Sequence, residues 1–149
     1  HLRSDVLASP READRLREDV GKMRIKMRAE LDRSDAVMFD LKQGAGGLVD
    51  LEFLLQWIVL RHSATQPALR TPRSSAALLY AAQVAGVLDA GTHAALRTAH
   101  ALLLDVGLRC TLDRRPRRAA YDAPIEAARA MIAAAVRAQG LQVSDCAAP

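Results

Sequence analysis

Residues 39–53, Phe-Asp-Leu-Lys-Gln-Gly-Ala-Gly-Gly-Leu-Val-Asp-Leu-Glu-Phe, constrain this chain more than any other stretch. A short extended run enters a loop with glycines at 44, 46 and 47, and the loop opens directly into the most hydrophobic segment of the sequence. Three glycines in four positions cost backbone entropy, so a folded chain keeps them only where a positive φ or a close backbone approach requires it. From Leu48 to His62 the residues are apolar nearly all round, with Leu51, Leu54, Leu55, Trp57 and Ile58 among them, as in a helix at the centre of a bundle. Asp50, Glu52 and Gln56 interrupt that pattern. Glu52 and Gln56 share a face at i, i+4, whereas Asp50 lies about 200° around the helix from Glu52. Acids in a first turn also suit the helix dipole. The loop itself has two readings: a tight turn packing one element on another, or an anion site at the free N–H groups of the helix start.

A length of 149 residues fits one domain with one core. Half of the residues are hydrophobic but only 3% are aromatic, so Leu, Ala, Val, Ile and Met must build that core. Such alanine-rich composition favours helices. The expected class is all-α: a bundle of about five helices with one short extended segment before the glycine-rich loop. Arg109, Arg114, Arg115, Arg117 and Arg118 against Asp113 account for the whole formal charge of +4. The basic balance therefore reports one cluster, which is weak support for a nucleic-acid partner. Cys110 and Cys146 have no companion at metal-ligand spacing, so no metal site is expected. No apolar run of 18 residues and no signal-peptide pattern is present, and a cytoplasmic chain without membrane contact is expected. A start at His1 rather than Met predicts a piece of a longer protein.

Ser9, Pro10 and Glu12 form a helix-start pattern. Leu16, Val20, Met23, Met27 and Leu31 then recur as one apolar stripe, with Arg15, Arg17, Arg24, Lys26 and Arg28 on a solvated face and the methionines in core packing. Residues 37–42 are extended, a possible edge strand. After a linker at 66–72, a helix is expected from about Ser74 to Ala85, with Ala77, Leu78, Ala81 and Val84 on one face and Gly86 as its cap. Asp89 caps a further helix to about Leu112, with Ala95, Ala99, Leu102, Leu103 and Val106 as its stripe. His93 and His100 have no ligand-spaced companions and are expected at the surface or its boundary. A proline-broken basic loop at 114–118 precedes a last helix from Asp122 and Pro124 to Gly140, with Ile125, Ala128, Ile132, Ala135 and Val136 inward. Residues 141–149 are expected to fray.

The string Asp40-Leu41-Lys42-x-Gly44-x-Gly46-Gly47-Leu48-x-Asp50-Leu51-Glu52-Phe53-Leu54-x-Gln56 resembles the signature that follows the nucleotidyltransferase core in the bacterial glutamine synthetase adenylyltransferase family. A related string occurs in the uridylyltransferase that modifies the PII signalling protein. The likeness continues through residues 57–62, includes residues 17–20 and 23–28 upstream, and covers most of 15–115. It implies a parent enzyme that transfers AMP from ATP, with Mg²⁺, to a tyrosine of glutamine synthetase and removes it by phosphorolysis. Two nucleotidyltransferase halves do this under the control of PII and glutamine. In the family the metal-binding carboxylates come from a Gly-Ser-x-x-Asp-x-Asp pattern ahead of this region, and no serine here sits in such a pattern. The resemblance therefore implies a single helical domain over 1–149, following a core absent from the chain, with no catalytic residue and no activity of its own. About 90 residues follow the signature, which points to the C-terminal, adenylylating half.

Two uses for the chain are expected. In the first, Asp40, Lys42, Gly44, Gly46, Gly47, Asp50 and Glu52 lie beside the nucleotide of the missing core. Lys42 then faces phosphate, loop amides donate hydrogen bonds, and Asp50 or Glu52 orders Lys42 or a helix of the core. Gly46→Val with Lys42→Ala is then expected to lower adenylylation while leaving folding intact. In the second, the chain is a non-catalytic module docking glutamine synthetase or PII through Arg114, Arg115, Arg117 and Arg118. A nucleic-acid reading has only the basic cluster behind it and lacks exposed stacking aromatics, so no nucleic-acid partner is expected.

Overall fold

The computed structural model describes Asp5 and residues 12–143. Among the described residues five helices dominate: α1 (Ala13–Leu31), α2 (Leu48–His62), α3 (Ser75–Val84), α4 (Ala90–Leu112) and α5 (Ala123–Ala138). Two three-residue strands, β1 (Met38–Asp40) and β2 (Arg118–Ala120), pair antiparallel, and a short 3₁₀ turn spans Pro67–Leu69. The chain is a helical bundle with one small ribbon at its edge. Ser9 and Pro10, read as the helix start, and residues 144–149 of the expected frayed tail lie outside the described residues.

Side-chain caps set three helix starts. Ser74, Asp89 and Asp122 accept from the N–H groups of Ala77, Thr92 and Ile125, satisfying donors that the first turn leaves unpaired. Gly86 and Gly140 follow α3 and α5 with φ of +75° and +73°, the left-handed turn that ends a helix.

Helix α2 is the axis of the core. Leu51, Leu54, Trp57 and Ile58 are all buried, and Trp57 Nε1 donates to the Gln139 carbonyl at 3.3 Å. Against it pack α4 and α5, which form the broadest helix–helix contact. The inner face of α5 is the expected one: Ile125, Ala128, Ile132, Ala135 and Val136 are all buried. Each large member of that face contributes roughly 1.5–3 kcal/mol by leaving water.

Several expectations change in three dimensions. Helix α1 does not bury its methionine stripe: Met23 is 61% and Leu31 50% exposed, while Gly21 and Arg24 are the buried residues. The helix is rotated toward its arginines because a buried acid on α2 needs them, as described below. In α3, Leu79 and Ala82 join Leu78 and Ala81 inside, leaving Ala77 and Val84 exposed. In α4 the buried line runs through His93, Leu96, Ala99, Leu103, Gly107 and Cys110. His93 is therefore a core residue, its ring edge-on to Tyr80. The chain does not fray from 141, since Leu141 and Val143 are buried in the core.

Candidate functional site

The extended segment before the glycine loop has a partner from the other end of the chain. Asp40 sits opposite Arg118, and the Leu41 N–H donates to the Arg117 carbonyl at 3.1 Å. This short ribbon brings the glycine loop beside the basic segment, so two features read separately in the sequence share one surface. Arg118 belongs to a strand rather than a loop, and it pairs with Asp35 at 3.2 Å. The Asp35 carboxyl is held below the usual range, first by the backbone N–H groups of Met38 and Val37 and then by Arg118.

The loop is built from its two acids. The Asp40 carboxylate accepts from the N–H groups of Arg33, Lys42 and Gln43 at 2.9–3.1 Å, while its own N–H donates to Ser34 Oγ. Gly44 N–H donates to the Asp40 carbonyl, Gly47 N–H to the Gly44 carbonyl, and the N–H groups of Leu48 and Val49 to the carbonyls of Leu41 and Lys42. Gly46 has φ +79°, and a Cβ there would lie 2.7 Å from the Arg129 carbonyl oxygen of α5. A Cβ at Gly44 would run into the Phe39 ring, and one at Gly47 would lie 2.8 Å from the Gly44 oxygen. The glycines are thus required by the packing of the turn itself. Gly46→Val would disturb the fold, contrary to the sequence-based expectation that it leaves folding intact.

Asp50 closes the loop from within. Its carboxylate accepts from Arg24 Nε at 2.6 Å, from one Arg28 terminal nitrogen at 2.7 Å to each oxygen, and from the Gly46 N–H at 2.8 Å. Arg24 is fully buried, and its other nitrogens donate to the side chain and carbonyl of Gln43. Burying a guanidinium is costly unless it is paired and hydrogen-bonded, and here all three nitrogens are used. From the other side, Arg129 Nε donates to the Ala45 carbonyl while its guanidinium lies 4.5 Å from the Phe39 ring centroid. Sequence reasoning missed Arg24, Arg28, Gln43 and Arg129. One signal was available: Leu16, Val20, Arg24 and Arg28 follow at steps of four, and an acid in an apolar helix demands a cation.

These contacts sort the predicted residues. Asp40, Asp50, Gly44, Gly46 and Gly47 hold the loop together. The loop amides at 42–44 and 46–49 bond within the chain, so they do not offer the phosphate hydrogen bonds expected of them. Asp50 orders the arginines of α1 rather than Lys42. Lys42 and Glu52 are exposed, on the outer side of the loop and of α2. Of the basic cluster, Arg115 pairs with Asp113 at 3.4 Å and Arg117 Nε donates to the Thr111 hydroxyl at 3.1 Å. Arg114 sits at the end of α4 with φ +53°.

Lys42 and Arg117 both line a groove of about 320 Å³, walled by Leu41 ahead of the loop, by Leu48 at the start of α2 and by Leu104 and Leu108 from α4. One turn beyond Leu48 on α2 is Glu52, whose charge acts on His100 of α4. Burial nonetheless lowers the His100 pKa, as it does that of His62 beside Arg61. The groove carries two cations, Lys42 and Arg117, in an otherwise apolar lining. Among the described residues no three His, Cys, Asp or Glu side chains cluster as metal ligands, and the buried carboxylates are already filled by N–H donors and guanidinium groups. These donors do not fit Mg²⁺. The Lys42 and Arg117 cations fit a phosphate or a carboxylate. No helix among the described residues is long and apolar enough to cross a membrane.

The family model described as GlnD PII-uridylyltransferase matches residues 13–142. A bifunctional glutamine synthetase adenylyltransferase/adenylyl-removing enzyme of Stenotrophomonas maltophilia K279a is 56% identical over 94% of this chain. One of Xanthomonas axonopodis pv. citri is 53% identical over the same share. The chain spans 15% of the length of each of these relatives. It belongs to the GlnD PII-uridylyltransferase family, and is similar within it to a segment of the bifunctional glutamine synthetase adenylyltransferases.

Proposed function

We propose that this chain is the helical part of a cytoplasmic enzyme that transfers AMP from ATP to a tyrosine of glutamine synthetase and removes it by phosphorolysis, under PII control. The observation that carries this reading is identity of 56% over nearly the whole chain to a protein named for that activity. ATP and Mg²⁺ act on the nucleotidyltransferase core of the same polypeptide, because the buried carboxylates here are occupied by structural donors. The chain alone is inactive. Its contribution is a rigid loop, fixed by Asp40, Asp50 and Arg24, that holds the Lys42 ammonium toward the core, where it can face the nucleotide phosphates.

The test is a chimera in which this chain replaces the matching segment of the Stenotrophomonas enzyme. Lys42→Ala should lower the rate of AMP transfer to glutamine synthetase about tenfold, equivalent to about 1.4 kcal/mol in the transition state. The melting temperature should not change, since Lys42 is exposed. A wild-type rate would remove the loop from the nucleotide site. A second reading, a docking module for glutamine synthetase or PII, is favoured by the exposure of Arg114 and Arg117. Reversal of Arg114, Arg115, Arg117 and Arg118 to Glu would abolish partner binding in that reading and leave it intact in the first.

A further inference from the structure

The groove between the glycine loop and α4 has the chemistry of a seat for another segment, and this inference rests on the reading of the chain as part of a longer enzyme. We propose that an amphipathic helix from the rest of that polypeptide docks there, with its leucine-like ridge in the groove and its carboxylates at the Arg117 end.

Three observations carry this. First, Leu104, Leu108 and Leu112 are 49%, 57% and 73% exposed at i, i+4 and i+8 of α4. They form a single apolar stripe about 12 Å long, matching two turns of a partner helix. Leu104 and Leu108 of this stripe face a furrow whose other wall is Leu41 and Leu48, and contiguous apolar surface of this kind marks an interaction site. Second, the charged side chains that line the furrow, Lys42 and Arg117, are both cations. Lys42 and Arg117 have no carboxylate partner among the described residues, Arg117 donating to a hydroxyl. A helix laid with its C-terminal turn at Arg117 complements that cation, through its own acids and through its dipole. Third, the relatives extend far beyond this segment, which is 15% of their length, so the same polypeptide supplies ample chain to cover the furrow.

The test uses maleimide labelling of Leu108→Cys, in this chain and in the chimera with the Stenotrophomonas enzyme, each normalised to its rate in urea. Labelling in the chimera should be at least tenfold slower than in the chain alone. Arg117→Glu should restore most of the lost rate, and 0.5 M salt should restore part of it. Equal rates in the two proteins would overturn the proposal, as would protection indifferent to the charge reversal. Slowing in the isolated chain that grows with its concentration would also overturn it, in favour of a second copy as occupant. AMP transfer is measured separately: an inactive chimera with Leu108 protected would count against the function and leave the groove standing.

Discussion

Removing the Asp50 carboxylate should be among the most damaging single changes available in this chain. Asp50→Ala deletes the acceptor of four hydrogen bonds and leaves Arg24, which has no exposed surface, as a buried cation facing Arg28. Breaking a buried pair from one side typically costs 3–5 kcal/mol, because the surviving charge stays desolvated. Arg28 can recover water, since 14% of its side chain is already exposed, but Arg24 cannot without moving α1. The cost should therefore stay within that range, and it amounts to a large share of the stability of an ordinary domain. Urea unfolding followed by the fluorescence of the single tryptophan, buried Trp57, gives the readout. With a slope of about 2 kcal/mol per molar, the midpoint should fall by about 1.5–2.5 M. Asp50→Asn should be nearly as harmful, because its amide donor would face a guanidinium. Glu52→Ala, two residues away on the exposed face, should stay within about 0.5 kcal/mol. A cost below about 1 kcal/mol for Asp50→Ala, typical of an exposed pair, would refute the idea that this cluster fixes α1 and the loop.

Two helical glycines should respond in opposite directions. Gly107→Ala meets nothing nearer than Leu41 Cδ1 at 3.9 Å and should stabilise by about 0.5–1 kcal/mol through helix propensity. A methyl at Gly21 would strike the Gln142 carbonyl oxygen, so Gly21→Ala should lower the melting temperature. Arg114→Gly relieves a left-handed backbone at the end of α4 and should stabilise by up to about 1 kcal/mol; a lower melting temperature would show that the arginine side chain holds that turn. Acid should destabilise the fold through His62 and His100. Their folded pKa values are lowered, so the unfolded chain binds more protons below about pH 6.5, and stability falls from pH 7 toward pH 5. Equal urea midpoints at pH 7 and pH 5.5 in the double variant His62→Gln/His100→Gln, against a drop in the parent, would confirm the source.

What the sequence determined was mostly local. Polar caps at Ser74, Asp89 and Asp122, the glycine stops at 86 and 140, and the apolar run 48–62 each act within a few residues, so they define the helices before any packing is known. The inward face of α5 was legible for the same reason: it is amphipathic, and period 3.6 marks one side. The tertiary structure decided the orientation of α1 and the make-up of the site. Hydrophobic periodicity assigned Met23 and Leu31 to the core, yet the acid on α2 reached across 26 positions and turned Arg24 inward instead. The pairing of β1 with β2 likewise brought Lys42 and Arg117, which no local pattern relates, to one groove. Ion pairs and ladder hydrogen bonds between distant segments are satisfied only once the chain is folded, so local periodicity carries no trace of them.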